Sequence, residues 1–229
     1  MNLTEPEVIF EDRHEAGRKL AAVMEDYKGK QVVVLAIPNG GIPVGIELAA
    51  ALNAELGVVV CRKIPIPMAP EGSLGAVAED GTVYLNEAAV KRIGLSREQI
   101  NYEASKVRVD VKQRSMLYQA NRLPIRVNER VVIVVDDGLA SGITMTAAVE
   151  SVRGRRAREI VVAVPVASAT AVNKLERVAD KVFTCTTNYR PKFYIADYYR
   201  HWFDIGDDEV LRYLEQWRTR RQPKFGTAS

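Results

Sequence analysis

The sequence predicts an α/β fold: a mostly parallel core sheet flanked by helices, with a hairpin and helix insertion and a small hood. Three observations predict it. Apolar runs rich in β-branched residues at 31–37, 57–63, 131–135 and 160–166 do not alternate with polar residues, so they read as strands buried on both faces. Two of these runs lead through Gly-containing loops into helical patterns, the strand–loop–helix order of a parallel βαβ unit. No repeat or low-complexity linker divides the 229 residues, so 1–229 reads as a single domain.

The elements follow in order. Residues 11–27 read as a first helix with Ala16, Leu20, Val23 and Met24 on one face. Strand 31–37 leads through Pro38-Asn39-Gly40-Gly41 into a helix at about 43–52, and 57–63 is the next strand. Segments 74–78 and 82–85, joined by Glu79-Asp80-Gly81, make an antiparallel hairpin projecting from that sheet. A long polar helix at 96–121 opens with Ser96 and Gln99, a capping box, and is stopped by Pro124. Strand 131–135, a helix from Thr144 to Arg153, strand 160–166, a helix at about 169–178, strand 181–185 and a closing helix at 207–217 complete the chain. The insertion spans about 65–122. The aromatic-rich stretch at about 186–206, with the N-terminus, is the candidate hood.

Composition narrows the function. Apolar residues make up 47% and charged residues 27%, ordinary for a soluble globular chain. A formal charge of +3 is too small to argue for nucleic acid, and the basic clusters at 153–158 and 212–224 suit solvated helix ends. No apolar run approaches the roughly 18 residues a membrane span requires. The N-terminus is acidic and polar rather than a signal peptide, so a cytoplasmic location is expected. Cys61 and Cys185 sit in strand-like runs and read as buried free thiols. His14 and His201 are too differently placed to suggest a metal pair.

The stretch from Val131 to Thr144, VVIVVDDGLASGIT, carries the most chemistry. A buried strand running through small residues into a helix presents free backbone N–H groups and a helix N-terminus at the sheet's carboxyl edge, a ready phosphate site. Asp136 and Asp137 stand just before it, able to accept hydrogen bonds from a vicinal diol or to hold a magnesium-bound group. A phosphate nest beside a diol acceptor describes a ribose 5-phosphate site. The bland alternative is an Asp-Asp-Gly turn that caps a helix by ordinary means. Gly40 and Gly41, after the first core strand, let the backbone approach a ligand closely. Arg62 and Lys63 end the following strand, where charges at a carboxyl edge face a ligand crevice. Tyr198 and Trp202, four apart, would share a helix face and could offer a flat surface, although core packing is the commoner fate of such residues. Lys106, Arg108, Lys112 and Arg114 on the long helix suit a solvated or subunit-contacting face.

The same stretch resembles the 5-phosphoribosyl-1-pyrophosphate (PRPP) signature of the type I phosphoribosyltransferases: a hydrophobic strand, two acids, small residues, then Ser/Thr-Gly-x-Thr/Ser. Asp136, Asp137, Ala140, Ser141, Gly142 and Thr144 fill that pattern. Phe10, Asp12, Arg13, Ala16, Gly17 and Leu20, then Arg62, Lys63, Ile64 and Pro67, then Gly75 to Gly81, resemble an uncharacterised branch of that family. The resemblance implies its Rossmann-like fold. It implies that Gly138, Leu139, Ala140, Ser141, Gly142, Ile143 and Thr144 bind the 5-phosphate. Asp136 and Asp137 would hold the ribose hydroxyls, reaching a metal through those hydroxyls or water. Asn39, Gly40, Gly41, Arg62 and Lys63 would bind pyrophosphate, with Arg62, Lys63, Asp136 and Asp137 as the catalytic set. Lys63 and the residues to Gly72 would form a loop moving over the site. Asn39 stands where such enzymes commonly carry arginine, so the loop lacks a charge. Ala140 stands where 6-oxopurine enzymes carry aspartate, which disfavours hypoxanthine and guanine.

The function expected from this resemblance is Mg2+-dependent transfer of phosphoribose from PRPP to a small nitrogenous acceptor in nucleotide metabolism, releasing pyrophosphate. Tyr198 and Trp202 are candidates for the acceptor site, and a homodimer is expected by analogy alone. The alternative is a non-catalytic PRPP-binding sensor that kept the sugar-phosphate site. A ribose-phosphate-binding module within a larger assembly is a third reading.

Overall fold

The computed structural model describes residues 8–67, 69–120 and 125–221. Five parallel strands form the core sheet: β1 (Val33–Ala36), β2 (Glu55–Val58), β6 (Val131–Val135), β7 (Glu159–Ser168) and β8 (Lys181–Asn188), in the order β2-β1-β6-β7-β8. Every residue of β1 and β6 is buried, as expected for central strands covered on both faces. Helices α1 (Arg13–Ala22), α2 (Gly41–Leu52) and α7 (Asp207–Arg221) share one core with Val34, Ala36, Ile133 and Val135. On the other face α5 (Ile143–Gly154) and α6 (Ala169–Leu175) pack on Val33, Leu35, Val132 and Val134. The sheet grows from β1 towards β2 and from β6 towards β8. The β1/β6 junction is therefore the switch point where an open α/β sheet leaves a crevice at its carboxyl edge.

The insertion is a second, antiparallel sheet, β3 (Cys61–Ile66), β4 (Ala69–Ala78) and β5 (Val83–Leu85), followed by α3 (Glu87–Ile93) and α4 (Arg97–Gln119). It begins at Cys61, ahead of the expected start near 65. The single strand expected at 57–63 is thus two strands in two sheets. Val59 N–H still bonds to Ala36 on β1 (3.1 Å), but Val60 N–H is taken by the Glu79 carboxylate (3.2 Å), which turns the chain away. Val59 and Val60 are both buried, so hydropathy runs through the break without marking it. The Glu79 carboxylate also accepts from Ser115 (3.0 Å) and Gln119 (2.9 Å), bracketing the hairpin to α4. Burial pushes its pKa up.

Other expectations shift in detail. The Ser96/Gln99 capping box forms as expected, whereas Pro124 and Asn121 lie outside the described residues. The first helix ends at Ala22. A 3-10 turn (Glu25–Tyr27) follows, and Val23 is half exposed rather than on the buried face. Helix α3 was not expected; Asn86 caps it and Gly94 ends it. Of the described residues between 65 and 72, most lie in β3 and β4, so this segment is the far end of a paired hairpin and not a free loop. A moving cover from there would have to move as a paired hairpin.

Candidate functional site

Two cavities meet at the β1/β6 junction. One, of about 600 Å3, is bordered by Pro38, Arg62, Lys63, Lys106, Asp110 and Asp136 among others. The other, of about 130 Å3, is lined by residues 136–145, Lys63 and Ile195. Lys63, Asp136 and Thr144 border both, so the two form one crevice with a narrow and a wide end.

The narrow end is the loop after β6, and it is built to present N–H groups. Leu139 bridges to β7 through Leu139 N–H to Val166 (2.9 Å) and Ser168 N–H to Leu139 (2.9 Å). On the side facing α6, the Ser168 hydroxyl donates to the Ala140 carbonyl (2.7 Å) and the Lys174 ammonium to the Ser141 carbonyl (2.9 Å). In a trans peptide the N–H points opposite to the C=O. Braces on those two carbonyls therefore turn the Ser141 and Gly142 N–H groups away from α6. Gly142 has φ of +70°, a left-handed conformation suited to glycine, and opens α5, whose first-turn N–H groups have no intrahelical acceptor. Gly138, Leu139, Ala140, Ser141, Gly142, Ile143 and Thr144 all line this end, as the sequence predicts. Ser168 and Lys174 were not expected. They lie on the next strand and helix, and no motif marks them.

The two acids diverge. Asp136 borders both ends of the crevice, whereas Asp137 turns inward and is 9% exposed. The Asp137 carboxylate accepts from Arg13 Nε (2.8 Å), and the Tyr199 hydroxyl donates to its carbonyl (2.6 Å). Arg13, 6% exposed, also donates to the Phe203 carbonyl (2.9 Å) and stacks on Trp202, 3.7 Å from the ring centre. A Cβ on Gly40 would lie 1.9 Å from Asp137 Oδ2, so glycine there is explained by packing on the acid without any ligand. Burial pushes both carboxyls up, Asp136 further because Asp137 lies beside it, while Arg13 pulls Asp137 back down. Both acids line the narrow end, but they are held differently: Asp136 accepts from the Asp137 N–H (2.8 Å) and also borders the wide end, whereas Asp137 is paired with Arg13.

The wide end also departs from expectation. Arg62 and Lys63 face it, yet from β3 of the second sheet rather than from the end of a parallel strand. Asn39, Gly40 and Gly41 do not line it; of their loop, Ile37 and Pro38 do. The Pro38–Asn39 peptide is cis. Lys106 on α4 borders this end, paired with Glu103 (2.6 Å), and Arg114 joins Asp110 and Asp207. Of the basic residues of α4, Lys106, Arg108 and Lys112 are exposed as expected, Lys106 at the rim of the crevice, and Arg114 is partly buried.

A model of the phosphoribosyl transferase domain matches residues 11–195 of this sequence. The chain belongs to the phosphoribosyltransferase family. Two Mycobacterium tuberculosis proteins, from strains CDC 1551 and H37Rv and each provisionally named a phosphoribosyl transferase, are 35% identical to it over 208 residues. The match takes in 91% of this chain and 47% of theirs, so the chain spans about half the length of these curated relatives. The crystal structure of TT1426 from Thermus thermophilus is 34% identical, with a TM-score of 0.76 over 91% of this chain and 99% of that one.

The candidate hood is packed differently from the expected acceptor platform. Only a 3-10 turn (Ile195–Tyr198) precedes Tyr199, so no helix aligns Tyr198 with Trp202. Tyr198 is buried against Phe193 (ring centres 5.5 Å apart), and Trp202 lies between Tyr199 (5.1 Å) and Arg13. Tyr198 belongs to a core cluster with Phe10, Ala16 and Val166, and the partly buried Trp202 packs against that cluster. The aromatic residues left exposed there are Tyr189, Tyr194 and Phe203. Another cavity, of about 590 Å3, is lined by Leu56, Glu79, Gln119, Arg155 and Trp217 among others and shares no residue with the crevice. The crevice remains the candidate site because cations, the Asp136 carboxylate and the loop after β6 converge there. Among the described residues, no three His, Cys, Asp or Glu side chains gather into a metal cage, and no helix is long and apolar enough to cross a membrane.

Proposed function

We propose that this phosphoribosyltransferase transfers phosphoribose from PRPP to a small nitrogenous acceptor, with Mg2+, and releases pyrophosphate. One observation carries the reading: Lys63, Asp136 and Thr144 border both an N–H-lined nest and a wider cationic space, so one ligand with phosphate at each end would span them. The 5-phosphate sits on the loop from Gly138 to Thr144. Asp136 accepts from the ribose hydroxyls. Arg62 and Lys63 face the pyrophosphate, with Lys106 at the rim. The acceptor nitrogen bonds to C1 as the C1–O bond breaks, pyrophosphate leaves with the electron pair, and the acceptor gives up a proton. Cations fixed beside the departing oxygens stabilise charge as it develops, and positioning supplies the rest, so no protein nucleophile is required.

The donor set suits Mg2+. One carboxylate beside a cationic space suits an ion that keeps its waters and binds mainly through substrate phosphates. Asp136 would hold it, through the ribose hydroxyls or water, and the ion would neutralise pyrophosphate charge. Ala140, by its resemblance, disfavours 6-oxopurines as acceptors. The uncharged Asn39 favours a second reading, a sensor that binds PRPP without consuming it. Pyrophosphate release from Mg-PRPP across a panel of bases and amines separates the two. Release that requires one acceptor and Asp136 supports transfer and names the substrate. PRPP binding without release under any acceptor supports the sensor.

A further inference from the structure

Asn39 occupies the expected pyrophosphate loop, yet its side chain is spent within the protein. Its two amide hydrogens go to the Ile205 carbonyl (2.7 Å) and Asp207 Oδ1 (3.2 Å), at the entry to α7. Its Oδ1 accepts from Arg62 Nη2 (3.2 Å). The Tyr118 hydroxyl oxygen is also 3.2 Å from Oδ1, but it has one hydrogen to donate and the carboxylate oxygen Asp207 Oδ1 is closer, at 2.5 Å. An amide has two donors and one acceptor oxygen, so little of Asn39 remains for a ligand. Asp207 is itself held by Arg114 and Tyr118 from α4. Asn39 thus joins the loop after β1, the start of α7, α4 and β3 at one point.

We infer that Asn39 is a positioning residue that anchors Arg62 at the wide end of the crevice through an uncharged acceptor, so that β3 supplies the positive charge its own loop lacks. Without this acceptor, the charged partner nearest to Arg62 is Asp110, whose Oδ2 lies 3.8 Å from Arg62 Nε. The guanidinium would turn to that carboxylate, which borders the same wide end, and its charge would be neutralised there instead of being offered to pyrophosphate. A loop arginine at position 39 would be redundant here, and it would lack the acceptor that Arg62 uses. The inference rests on the proposed function, because it assigns Arg62 to pyrophosphate.

The test measures binding of magnesium pyrophosphate and of ribose 5-phosphate by titration calorimetry to wild type, Asn39→Ala, Arg62→Ala and the double variant. Arg62→Ala should weaken pyrophosphate at least about tenfold, the usual worth of a hydrogen bond to a charged group. Asn39→Ala should lose a comparable factor, and the double variant should bind within about twofold of Arg62→Ala, since both changes remove one interaction. Ribose 5-phosphate should bind all four proteins alike, which a general loss of structure would not allow. Should Asn39→Ala fail to fold, Asn39→Ser removes the same acceptor and is read the same way. Multiplying losses in the double variant, or no loss in the Asn39 variant, would overturn the inference while leaving the proposed function intact. Failure of wild type to bind either probe would instead remove the proposed function.

Discussion

The two ends of the crevice are assembled in opposite ways. The narrow end is one continuous run, from β6 through the loop to α5, so neighbours in sequence are neighbours in the site. The wide end draws on the loop after β1, on β3 and on α4, and α7 fixes Asn39 behind it. A local site is set by backbone conformation: a left-handed Gly142, a helix start, and carbonyls braced from one side. A dispersed site is set by tertiary hydrogen bonds, and its residues can exchange roles while the charge is kept. That is how a loop without arginine can still face a cation.

The sharpest way to break this comparison is at the acids, where the two ends meet. Asp137→Asn leaves Arg13 buried without its charge partner and should lower stability by about 3 kcal/mol or more, read by denaturant unfolding. A change under about 1 kcal/mol would mean the pair contributes little. Asp136→Asn should do the reverse to stability while lowering transfer about a hundredfold, the scale of one lost transition-state contact. Burial and Asp137 push Asp136 up, so the folded protein keeps that proton to higher pH than the unfolded chain does. The carboxylate's cost to stability is therefore absent below the ordinary carboxylate range, about pH 4, and grows as pH rises through the folded value. In metal-free buffer, Asp136→Asn should melt higher than wild type at pH 7, with the gain vanishing towards pH 4. A melting point that falls at pH 7 would show that Asp136 is held ionised by partners.

Smaller effects sharpen the contrast. Gly40→Ala drives a methyl group into the Asp137 carboxylate and should cost about 1–3 kcal/mol in thermal unfolding, as overpacking does. An unchanged melting temperature would show that the acid can move aside. Lys174→Ala removes one brace from the Ser141 carbonyl and should weaken ribose 5-phosphate only a few-fold, about 1 kcal/mol or less, with pyrophosphate binding unaltered. Equal losses for both ligands would mean the two ends are not separable.

Legibility followed the same divide. The core strands, the order of helices, the capping box at Ser96 and the loop from Gly138 to Thr144 could be read because each depends on a contiguous pattern. Arg62 and Lys63 were found as crevice cations, but the strand carrying them was misread, since Val59 and Val60 stay apolar across the junction between sheets. Arg13 stood in a family motif, yet its pairing with Asp137 spans most of the chain and leaves no periodicity to read. Tyr198 and Trp202 lie close to the site in sequence, but their side chains are taken up by Phe193, Tyr199 and Arg13. Side-chain engagement of that kind is decided by packing, which residue type alone does not report.

On the proposed reading, both ends hold parts of one molecule. Competition binding tests it directly: ribose 5-phosphate and magnesium pyrophosphate are each bound to wild-type protein, and magnesium PRPP is then titrated in. PRPP should displace both ligands with one and the same affinity. Displacement of only one, or of neither, would contradict a single site spanning the crevice.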